Sequence, residues 1–191
     1  IYHLFSIHCN LLILRFFKTI NTLDDLNKSG LRDNMNIAHH YLQLEHLLGC
    51  WQAQRFVVDR YHSFQAYYRG EMIISEAPKS NEKIVLVKQP KEVMLNLSEQ
   101  GILEKDGASY NFSQSYQIKL SNNKCEVFFI DQTLFFSINR LIKTQTIDHL
   151  CNLDRYTGKV IFLKANSFAL KFNVFGPKKQ YYLKALYKRF D

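Results

Sequence analysis

The residues with the most chemical potential lie late in the chain. His149 and Cys151 stand two apart in a β-rich stretch, so they share one face of a strand. A histidine beside a cysteine can act as base and nucleophile. At this spacing, however, the two side chains run in parallel and no third group is in view to orient the imidazole. Two such ligands also fall short of the three that a metal site wants, so no metal is implied. His149 is therefore read as a polar anchor or an acid/base beside a cavity. The plainer alternative is a hydrogen-bonded histidine next to a packed thiol.

Arg55 is the second candidate. At a period of two it shares a strand face with Trp51, Ala53 and Val57, so it points inward if Trp51 does. A buried guanidinium requires a partner, because an unpaired buried charge is costly. That partner is either a ligand carboxylate or phosphate, gripped by the guanidinium fork, or an internal acid drawn from Glu99, Glu71 and Asp154. Asp154 otherwise suits a turn before the following strand. Tyr110, Tyr116 and Tyr156 offer phenols that can line a cavity mouth. Gly176-Pro177-Lys178-Lys179 has the composition of a tight turn. Its lysines, Lys178 foremost, either keep a rim loop soluble or capture an anionic group there.

These residues need strands to hold them, and the composition allows that. The chain has 191 residues, of which 47% are hydrophobic and 14% aromatic, which excludes a disordered or collagen-like polymer. The formal charge is +8, and all of it sits in residues 155–191, where nine Lys/Arg meet one acid. Residues 1–154 carry sixteen of each sign. A nucleic-acid partner must therefore be sought in the last fifth of the chain, where Lys171, Lys184 and Lys188 can lie on an outer strand face with interleaved tyrosines. No recognition motif accompanies them, so nucleic acid is a minor option. GxGxxG, GxxxxGK[ST], GxSxG and HExxH patterns are missing, which disfavours nucleotide-binding, kinase, serine-hydrolase and zinc-protease readings. Cys9, Cys50, Cys125 and Cys151 form no CxxC and read as buried reduced thiols of a cytoplasmic protein.

The first twenty residues are apolar but interrupted by His3, His8, Arg15 and Lys18, so no transmembrane helix is expected. The chain starts without Met. Taking Met35 as the true start makes residues 1–34 an extension and residues 35–191 the domain. From 36 to 48, apolar residues recur at helical spacing and stop at Gly49. After Gly49 the period becomes two. Strands are expected over 50–58, 64–76, 83–88, 92–97, 101–104, 109–120, 124–130, 133–139, 142–150, 156–164, 167–175 and 180–190, with Gly70 marking a bulge or a close approach. A two-residue hairpin is expected at Asp131-Gln132. No helical period separates the strands, so an antiparallel meander follows. At this length it closes into an up-and-down barrel of about eight to ten strands, since closure removes edges.

Gly49-Cys50-Trp51 directly after a short helix, with Arg189 near the chain end, resembles the GxW and late Arg of the lipocalin and wider calycin pattern. The resemblance implies that Trp51 closes the barrel floor and that Arg189 packs across its indole. His149-x-Cys151-x-x-Asp154-x-Tyr156, the GPKK turn and Tyr187-x-Arg189 look like a narrower calycin-like family, found mostly in bacteria, over residues 46–190. Its usual glycine after the hairpin aspartate is Gln132 here. That family carries no known activity. The resemblance therefore implies a fold and some structural residues: Gly49, Trp51, Asp154, Gly176, Pro177 and Arg189.

The combined expectation is a barrel that binds a small, partly apolar ligand with an anionic group. Arg55, Glu99, Tyr116, His149, Cys151, Tyr156 and Lys178 are its candidate contacts, and no cofactor or oligomeric state is specified. The alternative is a lyase, isomerase or hydrolase using His149 in the same cavity.

Overall fold

The computed structural model describes residues 44–78, 92–121, 123–164 and 166–190. The expected extension at 1–34, the strand at 83–88 and Cys9 lie outside the described residues. Within them the protein is all-β apart from one helical turn, α1 (Leu44–Leu47). The strands are β1 (Gly49–Asp59), β2 (Phe64–Glu76), β3 (Val93–Lys105), β4 (Ala108–Leu120), β5 (Lys124–Phe128), β6 (Leu134–Asn139), β7 (Thr144–Cys151), β8 (Asp154–Lys164), β9 (Ser167–Gly176) and β10 (Lys179–Arg189). Every neighbouring pair in the sheet is antiparallel, in the order β6-β5-β4-β3-β2-β1-β10-β9-β8-β7. The first and last strands pair in full, with Trp51 opposite Arg189 and Asp59 opposite Tyr181. That pairing turns a ten-stranded meander into a nearly closed barrel.

The remaining gap lies between β6 and β7, which share no ladder. Side chains bridge it. The Gln145 amide accepts a hydrogen bond from the Asn139 N–H and donates one to the Asn139 carbonyl, as a neighbouring strand would. Phe135 of β6 meets the His149 ring of β7 edge-on at 5.9 Å. The backbone groups of Asn139 on this edge are thus paired without a backbone ladder.

Alternation sets which residues face in. Trp51 and Ala53 on β1, Tyr68, Met72 and Ile74 on β2, and Leu95 and Glu99 on β3 are all buried. At one end, α1 stops at Gly49, whose φ of +117° only glycine adopts readily. Trp51 is 2% exposed there. Its Nε1 donates to the Leu47 carbonyl at 2.9 Å, and its ring meets Phe168 edge-on at 5.3 Å. Trp51 thereby packs the floor of the barrel beside Leu47 and Phe168. The Arg189 guanidinium lies against Gly49, where an added Cβ would touch its Nε at 3.5 Å.

Several expectations change. The segments 92–97 and 101–104 form the single strand β3, which runs through Gly101. Gly101 pairs with Gly70, and a Cβ on it would stand 2.3 Å from the Arg69 carbonyl. Gly70 is accordingly a close approach rather than a bulge, with room above it for the Tyr68 ring. The hairpin after β5 is longer than two residues: β5 ends at Phe128 and β6 starts at Leu134. Gln132 supplies the left-handed turn conformation there, with φ of +68°, while Asp131 accepts from the Thr133 N–H. Finally, Lys184 is not part of a solvated outer face. It is buried, and its ammonium lies 5.4 Å from the centre of the Tyr182 ring, with Phe56 opposite it in register. Among the cysteines, Cys125 is buried and Cys151 half-buried, but Cys50 is exposed because it alternates outward beside Trp51; all three are free.

Candidate ligand-binding cavity

The barrel interior is not filled by its own side chains. A cavity of about 480 Å³ runs along it. The lining near the floor is fully buried: Leu47, Met72, Ile74, Cys125 and Ile138. Towards the turns after β1, β3, β5, β7 and β9 the lining residues are half-buried, among them Phe64, Leu103, Phe129, Tyr156 and Tyr181. The cavity therefore opens at the turn end. Much of its wall is aromatic. Phe135 stacks on Tyr116 with centroids 6.0 Å apart and on Phe172 at 5.9 Å, and it meets Tyr156 edge-on at 5.7 Å. Flat, offset ring contacts of this kind suit a planar apolar guest.

One polar stripe crosses this apolar wall. Arg55 on β1 pairs with Glu99 on β3, and the Glu99 side chain is only 1% exposed. The Arg55 Nε and Nη2 groups also donate to the Tyr187 hydroxyl on β10, at 3.2 and 2.9 Å. Gln114 Nε2 on β4 donates to Glu99 Oε2 at 2.9 Å, and the Tyr116 hydroxyl donates to Gln114 Oε1 at 3.1 Å. The guanidinium carbon lies 5.1 Å from the centre of the Tyr68 ring and 5.6 Å from that of Phe112. Ala53 and Ala185, both fully buried, leave the width that Arg55 and Tyr187 require.

The electrostatics follow from this packing. Burial opposes the Arg55 charge, but Tyr187 and Glu99 outweigh it and hold its pKa above the ordinary arginine value. Burial pushes the Tyr187 phenol up to about 12, against the opposing pull of Arg55. Burial, with Glu99 nearby, also raises Tyr68. Burial and the neighbouring Tyr156 raise Tyr181, and burial raises Tyr116 despite Arg55. Burial takes the Cys125 thiol to about 12 as well, so it is an inert packing group.

A sign follows for alkaline stability. A phenol held above its unfolded value of 10.0 keeps its proton in the folded state. Its contribution is complete below pH 10 and is lost as pH rises towards about 12. In a spectrophotometric titration, part of the tyrosine absorbance change should be withheld until the barrel unfolds in that window. A single transition near pH 10 that covers all eleven tyrosines, with the near-ultraviolet dichroism intact, would contradict this assignment.

Of the residues singled out from sequence, Arg55, Glu99, Tyr116 and Tyr156 line the cavity. His149 and Cys151 share the inward face of β7 with buried Ile147. His149 nevertheless packs against Phe135 and Tyr156, whose rings it meets at 5.9 and 6.1 Å, and its buried Nε2 has no hydrogen-bond partner. Neither it nor Cys151 lines the cavity. Lys178 is exposed in the β9–β10 turn. Asp154 pairs instead with Lys179 at 2.6 Å, and its Oδ1 sits where a Cβ on Gly176 would fall. Tyr110 shares the inner face of β4 with Phe112 and Gln114, but it lies at the turn end, is exposed and does not line the cavity. The sequence reading missed Tyr68, Gln114 and Tyr187 as members of the site. Each alternates inward, but only the register brings Gln114 opposite Glu99. Among the described residues no three His, Cys, Asp or Glu side chains gather as metal ligands, and no helix is long and apolar enough to cross a membrane.

The family described as "Family of unknown function (DUF6314)" matches residues 47–189, from the end of α1 to the end of β10. The chain belongs to that family. No curated protein matches its sequence. Among solved structures it is similar to the S-type phycobiliprotein lyase CPES from Guillardia theta, with a TM-score of 0.53 at 9% identity over 77% of this chain and 90% of that one. It is also similar to mFAP1, a redesigned β-barrel bound to DFHBI, with a TM-score of 0.36 at 11% identity over 76% of this chain and 96% of that one. At such identities the likeness to the lyase is one of fold.

Proposed function

We propose that this member of the family is a calycin-like binding protein that holds one small, largely apolar molecule in the barrel, with the polar end of that molecule at Arg55. One observation supports this above all: a well-packed floor and an aromatic wall enclose a cavity of about 480 Å³ into which the buried Arg55–Glu99 cluster is set. Cavities of this size and composition are the usual form of small-molecule sites. The similarity to a phycobiliprotein lyase supports the barrel frame. The free thiols Cys50, Cys125 and Cys151 suit a reducing, cytoplasmic setting. The catalytic alternative required His149, Arg55 and a carboxylate to converge on one volume. His149 packs against Phe135 and Tyr156, which line the cavity, and does not line it itself, so the binding reading is preferred.

Screening fatty acids, haem and a metabolite library by thermal shift tests this. A bound ligand at about a hundred times its Kd should add roughly 2.7 kcal/mol of stability and raise the midpoint. Val57→Trp, which fills the cavity from β1, should abolish the shift. If no compound raises the midpoint, or if Val57→Trp leaves the shift unchanged, the proposal fails.

A further inference from the structure

The polar cluster is neutral as a unit, and its unsatisfied atoms have a pattern. Arg55 spends Nε and Nη2 on Tyr187 and Glu99, and Nη1 makes no hydrogen bond among the described residues. Glu99 receives Arg55 and Gln114 on Oε2 alone, and its other oxygen, Oε1, is buried without a hydrogen-bond partner. The Tyr68 hydroxyl is buried beside them, close to the Glu99 carboxylate. Buried polar atoms of this kind are rare, and each calls for an explanation. Here one charged donor and one charged acceptor are left over, from side chains that line the same cavity.

From this we infer that the ligand's polar end is a neutral, planar group carrying an N–H donor beside a C=O acceptor, as in an aromatic amide, lactam or imide. This rests on the binding function proposed above and replaces the anionic head that Arg55 alone suggested. The ligand N–H donates to Glu99 Oε1, and its carbonyl accepts from Arg55 Nη1. A carboxylate offers only acceptors. It would set a second negative charge against a guanidinium already neutralised by Glu99, deep in a largely apolar cavity, and would leave Oε1 unpaired. An amide satisfies both atoms and brings no charge to desolvate. Its planar body then lies among Phe112, Tyr116, Phe135 and Phe172.

Three probes with one ring system decide the matter: 2-naphthamide, 2-naphthoate and naphthalene, titrated at pH 7.5 into the full chain by calorimetry. The amide should bind about tenfold or more tightly than either of the others, as hydrogen bonds to charged groups would give. In Glu99→Gln the guanidinium loses its counter-charge, and the order should reverse in favour of naphthoate. Naphthoate binding the unmodified protein as tightly as the amide would overturn the inference. So would naphthalene matching the amide. In both cases binding in the barrel would still stand. If none of the three binds, the inference also falls, and the fatty-acid and haem arms of the thermal screen report separately on the binding reading.

Discussion

Replacing Arg55 by methionine should cost about 3–5 kcal/mol of unfolding free energy. The loss comes less from the missing ion pair than from what stays behind. Glu99 keeps a carboxylate that is 1% exposed and loses its charged partner, with Gln114 still bonded to it. Tyr187 loses the two N–H donors that its hydroxyl accepts. Removing one member of a buried pair is severe for this reason, whereas replacing both members by apolar side chains is often nearly neutral. The double variant Arg55→Met, Glu99→Leu should therefore recover most of the stability lost in the single variant, and it should lose the discrimination between amide and carboxylate heads. Urea denaturation of the two single variants and the double variant measures this coupling. Purely additive losses, or a single-variant loss below about 1 kcal/mol, would show that Arg55 and Glu99 are not the energetic unit described.

Trp51→Ala should cost about 3–5 kcal/mol, the range for truncating a large buried aromatic. The indole is 2% exposed and fills the floor between α1 and the last strand, against Phe168. Its removal leaves a void and strips the Leu47 carbonyl of its donor. Trp51→Phe keeps most of the volume and loses only that hydrogen bond, so it should recover all but roughly 1–2 kcal/mol. If Trp51→Phe is as damaging as Trp51→Ala, the floor is held by the hydrogen bond rather than by packing. If Trp51→Ala costs less than about 1 kcal/mol, Trp51 does not seal the barrel at all.

Much of this molecule was legible in its residues. A period of two from Gly49 onward, broken by Asp106-Gly107 and Gly176-Pro177, marks strands and turns because side chains alternate across a pleat and only some residues tolerate turn backbones. The strands over 64–76, 109–120, 124–130 and 167–175 recur in the structure within one or two residues. Alternation also told which way Arg55 points. It could even have removed Glu71 from the list of partners, since Met72 beside it faces in. Glu99 is less accessible, because the sequence pattern gives two segments, 92–97 and 101–104, with Glu99 between them. The real strand runs on through Gly101, which tucks under Tyr68.

Strand identity, facing and the meander order are local or nearest-neighbour properties, and the sequence by itself determined them. Which groups meet inside the barrel depends on closure. Only the pairing of β1 with β10 sets Tyr187 beside Arg55, and only the register across β3 and β4 sets Gln114 beside Glu99. The tertiary structure likewise decided that Asp154 turns to Lys179, and that Phe135, carried across the β6–β7 gap, packs against His149. Contacts between residues far apart in the chain depend on the shear and curvature of the whole sheet, to which no single strand's pattern is sensitive.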